Sequence, residues 1–123
     1  MCPERFPVER FDDLAVIVLP AEVDISTADL LRDDLVAVVD QGVTVLIVDM
    51  SMTTFCDSAA LSALISAHRH ADAAVAELRL VAVSAGVLRV MKLTGLDRLI
   101  SLYPTLAAAR AGGAGSVPGV AAN

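Results

Sequence analysis

Tryptophan is absent from this 123-residue chain, and one Tyr and three Phe are its whole aromatic complement. Hydrophobic residues make up 56 %, mostly Ala, Val and Leu, so the interior has to be built from branched aliphatics with alanine spacers. Such a core suits helices packed closely on a sheet. No apolar run approaches the roughly 20 residues of a membrane-crossing helix; residues 43–48, among the longest, are strand-sized. Basic charge is scarce too. Nine Lys and Arg stand against fifteen Asp and Glu, a net charge of −6, which argues against nucleic acid as a partner. Two cysteines, Cys2 and Cys56, are too few for a disulfide framework and leave at most a redox pair. The start, Met1-Cys2-Pro3-Glu4-Arg5, lacks the basic and apolar stretches of a signal peptide, so a cytoplasmic protein is expected. The length predicts one domain, and no repeat is visible.

The charge that is present is unevenly placed. Residues 1–58 hold twelve acidic and three basic residues, whereas residues 59–123 hold three acidic and six basic. An acidic half would steer the chain onto a basic partner surface; clustered, solvated helix faces would give the same pattern.

Hydrophobic periodicity predicts the order ββαβαβαβα over residues 1–110. Residues 6–10 and 14–19 read as strands around the turn-like Phe11-Asp12-Asp13. A helix opens in 24–29, with Ser26 as its cap and Asp29 completing a capping box, and ends at Gly42. Strands follow at 43–48 and 78–83, separated by a helix from Asp57 with Leu61, Leu64, Ile65 and His68 on one face. Residues 86–94 form a helix closed by Gly95 and Leu96, 100–103 a last strand, and 104–110 a last helix. Residues 111–123 read as a flexible tail. Alternating strands and helices imply a mixed, mostly parallel α/β sheet with helices packed on it.

In such sheets, function gathers where strands lead into helices at their carboxyl ends. Two polar loops do so here, 22–27 and 49–58. The second ends in Asp57-Ser58 at a helix start, where backbone N–H groups and the helix dipole favour an added phosphate. Ser58 has the setting of a modifiable serine; equally, Asp57 or Ser58 is simply the N-cap.

Three blocks of sequence resemble a known family, the bacterial anti-sigma factor antagonists built on the STAS domain. Ala21-Glu22-Val23-Asp24 with Thr27-Ala28 and Leu31-Arg32 is similar to their Gly-Glu-Leu-Asp…Thr-Ala…Leu-Arg pattern. Val48-Asp49-Met50-Ser51 followed by Phe55-Cys56-Asp57-Ser58-Ala59-Ala60-Leu61 resembles Asp-Leu-Ser…Phe-x-Asp-Ser-Ser-Gly-Leu, and Leu93-Thr94-Gly95-Leu96-Asp97 matches Leu-Thr-Gly-Leu-Asp. The likeness spans residues 8–110, in order and at family spacing. It implies that Ser58 is the phosphoacceptor of a GHKL-type serine kinase that is also the anti-sigma factor. On that reading the unmodified chain binds the kinase and frees the sigma factor, and a PP2C-type phosphatase restores the phosphorylated form. Asp24, Thr27, Ser51, Asp57 and Ser62 would join Ser58 on the docking face, with no catalysis and no cofactor. The chain departs from the family pattern at Ala21 and Ala60, where the family has glycine, and at Ala59, where the family has a second serine.

Other readings make different demands. A STAS module that scaffolds a complex without phosphorylation would bind partners whatever the state of Ser58. A receiver-type phospho-aspartate domain would use Asp49, with Glu22 and Asp24 as the acidic pair and Ser84 after a later strand. It also wants a lysine after the last strand, and the only lysine, Lys92, lies in a helix. An enzyme built on Cys56, Asp57, His68 and His70 suffers because the two histidines, two apart on a helix, face different ways. Thr53 and Thr54 read as ordinary loop hydroxyls.

Overall fold

The computed structural model describes residues 6–112. Cys2 and the tail residues 113–123 lie outside that range. Strand β1 (Val8–Phe11) turns back through Asp12, left-handed at φ +58°, into β2 (Leu14–Val18). The chain continues through β3 (Glu22–Val23), α1 (Ile25–Asp40), β4 (Val45–Met50), β5 (Phe55–Cys56) and α2 (Ser58–Ala73). It closes with β6 (Glu77–Ala82), α3 (Ala85–Thr94), α4 (Leu96–Leu99), β7 (Ser101–Tyr103) and α5 (Leu106–Ala111).

Five strands form one sheet in the order β1-β2-β4-β6-β7, with only the β1–β2 hairpin antiparallel. The mixed, mostly parallel α/β layer expected from the sequence is therefore what forms. Three short elements were not expected: β3 and β5, paired in a small parallel sheet of their own, and the single turn α4. Element boundaries shift by one or two residues.

The central strands are largely apolar, Asp49, Glu77 and Arg79 apart, because both faces of the sheet are covered. Alternate residues sort cleanly. Ala15, Ile17, Leu46, Val48, Leu80 and Leu102 join the large core under α1, α2 and α3, whereas Val16, Ile47, Val81 and Tyr103 join a smaller one under α5. Leu31, Leu35, Val38 and Leu64 supply the helical side of the large core and are fully buried. Each such aliphatic side chain contributes about 1.5–3 kcal/mol.

Arg79 holds α5 against the smaller core. Its guanidinium donates to the Ala109 carbonyl at 2.7 Å and to Glu77 at 3.1 Å, and stands 6.0 Å from the Tyr103 ring centroid. A cation at the last carbonyls of a helix complements its dipole.

The first helix corrects the expected cap. Asp24, not Ser26, is the N-cap: its backbone is extended, its carboxylate accepts from Ser26 N, and Thr27, not Asp29, closes the capping box. Asp-Ile-Ser-Thr offers three capable residues in four positions, and a carboxylate meets the positive end of the helix better than a hydroxyl. The helix ends ahead of Gly42, left-handed at φ +95°, and α3 ends on Gly95 at φ +81°, both as expected.

Candidate functional site

The strand ends gather two helix starts side by side. After β2 the chain runs through β3 to Asp24 and α1; after β4 it runs through β5 to Asp57 and α2. Pairing of Glu22 with Phe55 and Val23 with Cys56 sets the two lead-in segments in register. Thr54 N and Phe55 N both donate to Ala21 O, and Thr53, fully buried, donates its hydroxyl to Pro20 O at 2.7 Å. Thr53 is thus a staple between the two loops. Ala21 keeps a negative φ, so nothing in its backbone calls for the glycine the family pattern has there.

Asp57 is the hinge of the site. One carboxylate oxygen caps its own helix by accepting from Ala60 N at 3.0 Å; the other accepts from Ile25 N, the first residue of α1, also at 3.0 Å. A single carboxylate thus serves the exposed N–H groups of two helices. Asp24 keeps to its own helix. It takes both the backbone N–H and the hydroxyl of Ser26, and those two bonds, the hydroxyl first, hold its carboxyl below the ordinary 3.8.

Ser58 is the first residue of the 16-residue α2 and is exposed. Its hydroxyl makes no hydrogen bond among the described residues, since the capping work is done by Asp57. Ser62, also exposed, sits one turn further along, on a shallow groove between α1 and α2 lined by Ile25, Ala28, Arg32, Ala59 and Ser66. Thr27 lies half-buried with its hydroxyl committed to the Asp24 backbone. Ser51 is exposed in the loop after β4, its N–H turned onto Asp49 Oδ1 at 3.0 Å. The structure thus brings Asp24, Thr27 and Asp57 into one hydrogen-bonded frame, with Ser58 beside it and Ser51 and Ser62 on its flanks.

Apolar side chains on the same rim went unremarked in the sequence, where an apolar residue reads as core. Ile25 is 78 % exposed, Met52 61 % and Phe55 50 %. Their only sequence signal is position, inside polar loops at helix starts.

The competing chemistries find less support. Asp49 is nine-tenths buried and engaged with Ser51 N, as a turn residue. Cys56 is buried, and burial, then the Asp57 charge, push its thiol above the ordinary 9.0, which disfavours the reactive thiolate. His70, half-exposed, lies 2.7 Å from Asp40 Oδ1, linking the far ends of α2 and α1. His68 is half-buried beside the stripe as expected. Among the described residues no three His, Cys, Asp or Glu side chains gather as a metal site requires, and no helix is long and apolar enough to cross a membrane.

Comparison with known proteins bears on this arrangement. The STAS domain family model matches residues 5–109. Among solved structures, an anti-sigma factor antagonist from Mycobacterium paratuberculosis is 31 % identical, with 86 % of this chain and 90 % of that one covered and a TM-score of 0.79. SpoIIAA in its unphosphorylated form is 23 % identical over 84 % of this chain and 91 % of that one, TM-score 0.72. The Bacillus cell fate determinant SpoIIAA in its phosphorylated form is 22 % identical over 86 % and 96 %, TM-score 0.68. At that identity the SpoIIAA likeness speaks to the fold alone. No curated protein sequence matches the chain. The chain belongs to the STAS domain family.

Proposed function

We propose that this STAS domain is an anti-sigma factor antagonist that regulates bacterial transcription by partner switching, with Ser58 as the switch. In the unmodified state it binds an anti-sigma factor that is also a GHKL-type serine kinase, and the sigma factor is released. The kinase phosphorylates Ser58 and the complex parts; a PP2C-type phosphatase returns the chain to its docking form. The observation that carries this reading is the free hydroxyl of Ser58, exposed at a helix start whose capping is already complete without it.

The chemistry has the right sign. A phosphate on Ser58 adds about −1.5 to −2 charges next to Asp57, whose two oxygens already hold two amide N–H groups. The helix dipole tolerates that anion in the free protein. A partner surface pressed over it would have to desolvate it beside a second carboxylate. A hundredfold loss of affinity needs only about 2.7 kcal/mol, which like-charge and desolvation terms supply. The docking surface is the rim formed by residues 22–27 and 51–58 together with Ser62. Asp24, Thr27, Ser51 and Asp57 frame it, and exposed Ile25, Met52 and Phe55 supply its apolar contact. An ordinary interface covers about 800 Å² per partner, enough to include both loops.

The test is capture from a lysate of the native host with the Ser58→Ala and Ser58→Asp proteins as bait, read by mass spectrometry. Retention of a small GHKL-type kinase by Ser58→Ala and its loss from Ser58→Asp is the expected result. Equal capture by both baits would mean that the chain scaffolds a complex and that Ser58 is an ordinary helix-start residue.

A further inference from the structure

We propose that the outer surface of α3 and α4 is a second docking surface and that its occupant is another copy of this chain, received head to tail. Three cations lie on this surface within ten residues: Arg89, Lys92 and Arg98, all exposed and none in an ion pair among the described residues. Arg10 on β1 and Arg69 on α2 are also exposed and unpaired, but each stands apart from any second such cation, and the remaining described arginines are engaged. Arg32 is shared between Asp29 and Asp33, Arg79 is committed to α5, and Arg110 stacks 4.1 Å over the Phe11 ring. Beside the three cations stand Leu93, 74 % exposed, and Leu99, 47 % exposed. Arg89, Lys92 and Leu93 share one helical face by their three- and four-residue spacing, opposite buried Val87 and Met91. Asp97, half-buried, is the one acid of α4.

Topology sets this surface at the other end of the molecule from Ser58. Helix α3 leaves the carboxyl end of β6 and returns to the amino end of the parallel strand β7, so Lys92, Leu93, Arg98 and Leu99 lie where the strands begin. The carboxyl end carries the complementary chemistry: Glu22, Asp24 and Asp57, with the exposed apolar Ile25 and Phe55. Two acidic ends repel each other, and so do two basic ends, which disfavours a symmetric pair through either. An acidic end on a basic end matches both charge and apolar surface. That contact is heterologous, so each copy keeps a free end for the next, and copies add into a chain, or into a ring where the rotation between them closes. With only Leu93 and Leu99 to meet Ile25 and Phe55, the contact is weak, at the low end of the interface size range. It also covers the Ser58 rim, so a self-associated copy would not be open to a partner. The association does not require the partner-switching reading, because it needs neither kinase nor phosphate.

The experiment is sedimentation equilibrium of the full chain from about 20 µM to about 1 mM, the range for a weak contact. A basic-end variant combines R89E, K92E and L93S; an acidic-end variant combines E22K and I25S. All five positions are exposed, and circular dichroism verifies the folding of both. The wild-type chain is expected to gain weight-average mass with concentration at about 20 mM salt, with an association constant about tenfold lower at about 300 mM. Each variant alone is expected to stay monomeric, and an equimolar mixture to form dimers and nothing larger, because each supplies the end the other lacks. A wild-type monomer across the whole range overturns the proposal. So does self-association that survives in either variant, or a mixture that stays monomeric.

Discussion

Two helix starts, 33 residues apart in the chain, use the same cap residue to different ends. At α1, Asp24 turns inward on its own first turn: it binds the N–H and the hydroxyl of Ser26, and Thr27 folds back on it. Every hydroxyl there is occupied. At α2, Asp57 reaches outward, one oxygen to Ala60 N and the other to Ile25 N of the neighbouring helix, and Ser58 is left with nothing to hold. The first start is closed on itself, while the second ties two elements together and leaves a nucleophile in solvent. The lesson is that a helix-start hydroxyl can be left unbonded by the residue beside it. Because Asp57 does the structural work, the Ser58 hydroxyl faces solvent without a partner among the described residues.

The comparison breaks most severely at Asp57. Replacing it by alanine removes acceptors from two helices at once, and the expected loss is about 2 kcal/mol or more, against about 1 kcal/mol for an ordinary N-cap. Urea denaturation should show a lower midpoint with an unchanged slope. Asp57→Asn should recover only part of the loss, because its amide keeps one acceptor for Ala60 N and turns an NH₂ toward Ile25 N. An Asp57→Ala protein as stable as Asp24→Ala would show that the bridge contributes nothing beyond a single cap.

At α1 the distinguishing quantity is acid sensitivity. The Asp24 carboxyl is held below its ordinary value, so it contributes stability that is present above the unfolded-state value near 4 and is lost as pH falls through the folded value. The Ser26 hydroxyl is the larger cause of the depression. Ser26→Ala should therefore move the Asp24 titration up toward 3.8, seen by NMR of the side-chain carboxyl, and flatten the acid limb of the stability curve. An unchanged titration would mean that the backbone N–H alone sets the carboxyl.

Much of this was legible in the sequence, and what was not has identifiable causes. The parallel layer could be read because residues 43–48 and 78–83 are short, mostly apolar runs between helical periods. Which alternate side chains face α5 could not, because both faces are apolar and leave no alternation. Strands β3 and β5 escaped notice because two residues carry no period. Ser58 stood out by its place between a buried strand and a helix. The Asp57–Ile25 bond did not, since it joins residues 32 apart and takes up a carboxylate already explained by its own helix. Nor did the Asp40–His70 contact, which joins residues 30 apart.

That contact sharpens the comparison at the opposite ends of the same two helices. Asp57 links their starts through a backbone N–H, whereas His70 and Asp40 link their ends through half-exposed side chains, 38 % and 61 % accessible. A pair so open to solvent gains little over its hydrated partners. A double-mutant cycle of Asp40→Ala and His70→Ala should give a coupling of about 0.5 kcal/mol or less, well below the loss at Asp57. A coupling as large as the Asp57 loss would mean that the helix ends, not the helix starts, lock α1 to α2.

The smallest expected effect is the most telling for function. Ser58→Ala removes a hydroxyl that bonds to nothing among the described residues, at a first helical position where alanine is well tolerated, so stability should stay within about 0.5 kcal/mol of wild type. Ser58→Asp should also fold normally, because the carboxylate gains about 0.3–1 kcal/mol from the helix dipole and that gain offsets its proximity to Asp57. Matched thermal melts of the two variants are what allow any difference in partner capture to be assigned to the charge at Ser58. Should Ser58→Ala unfold the chain as Asp57→Ala does, the hydroxyl would belong to the scaffold after all, and the contrast between the closed and the open helix start would disappear.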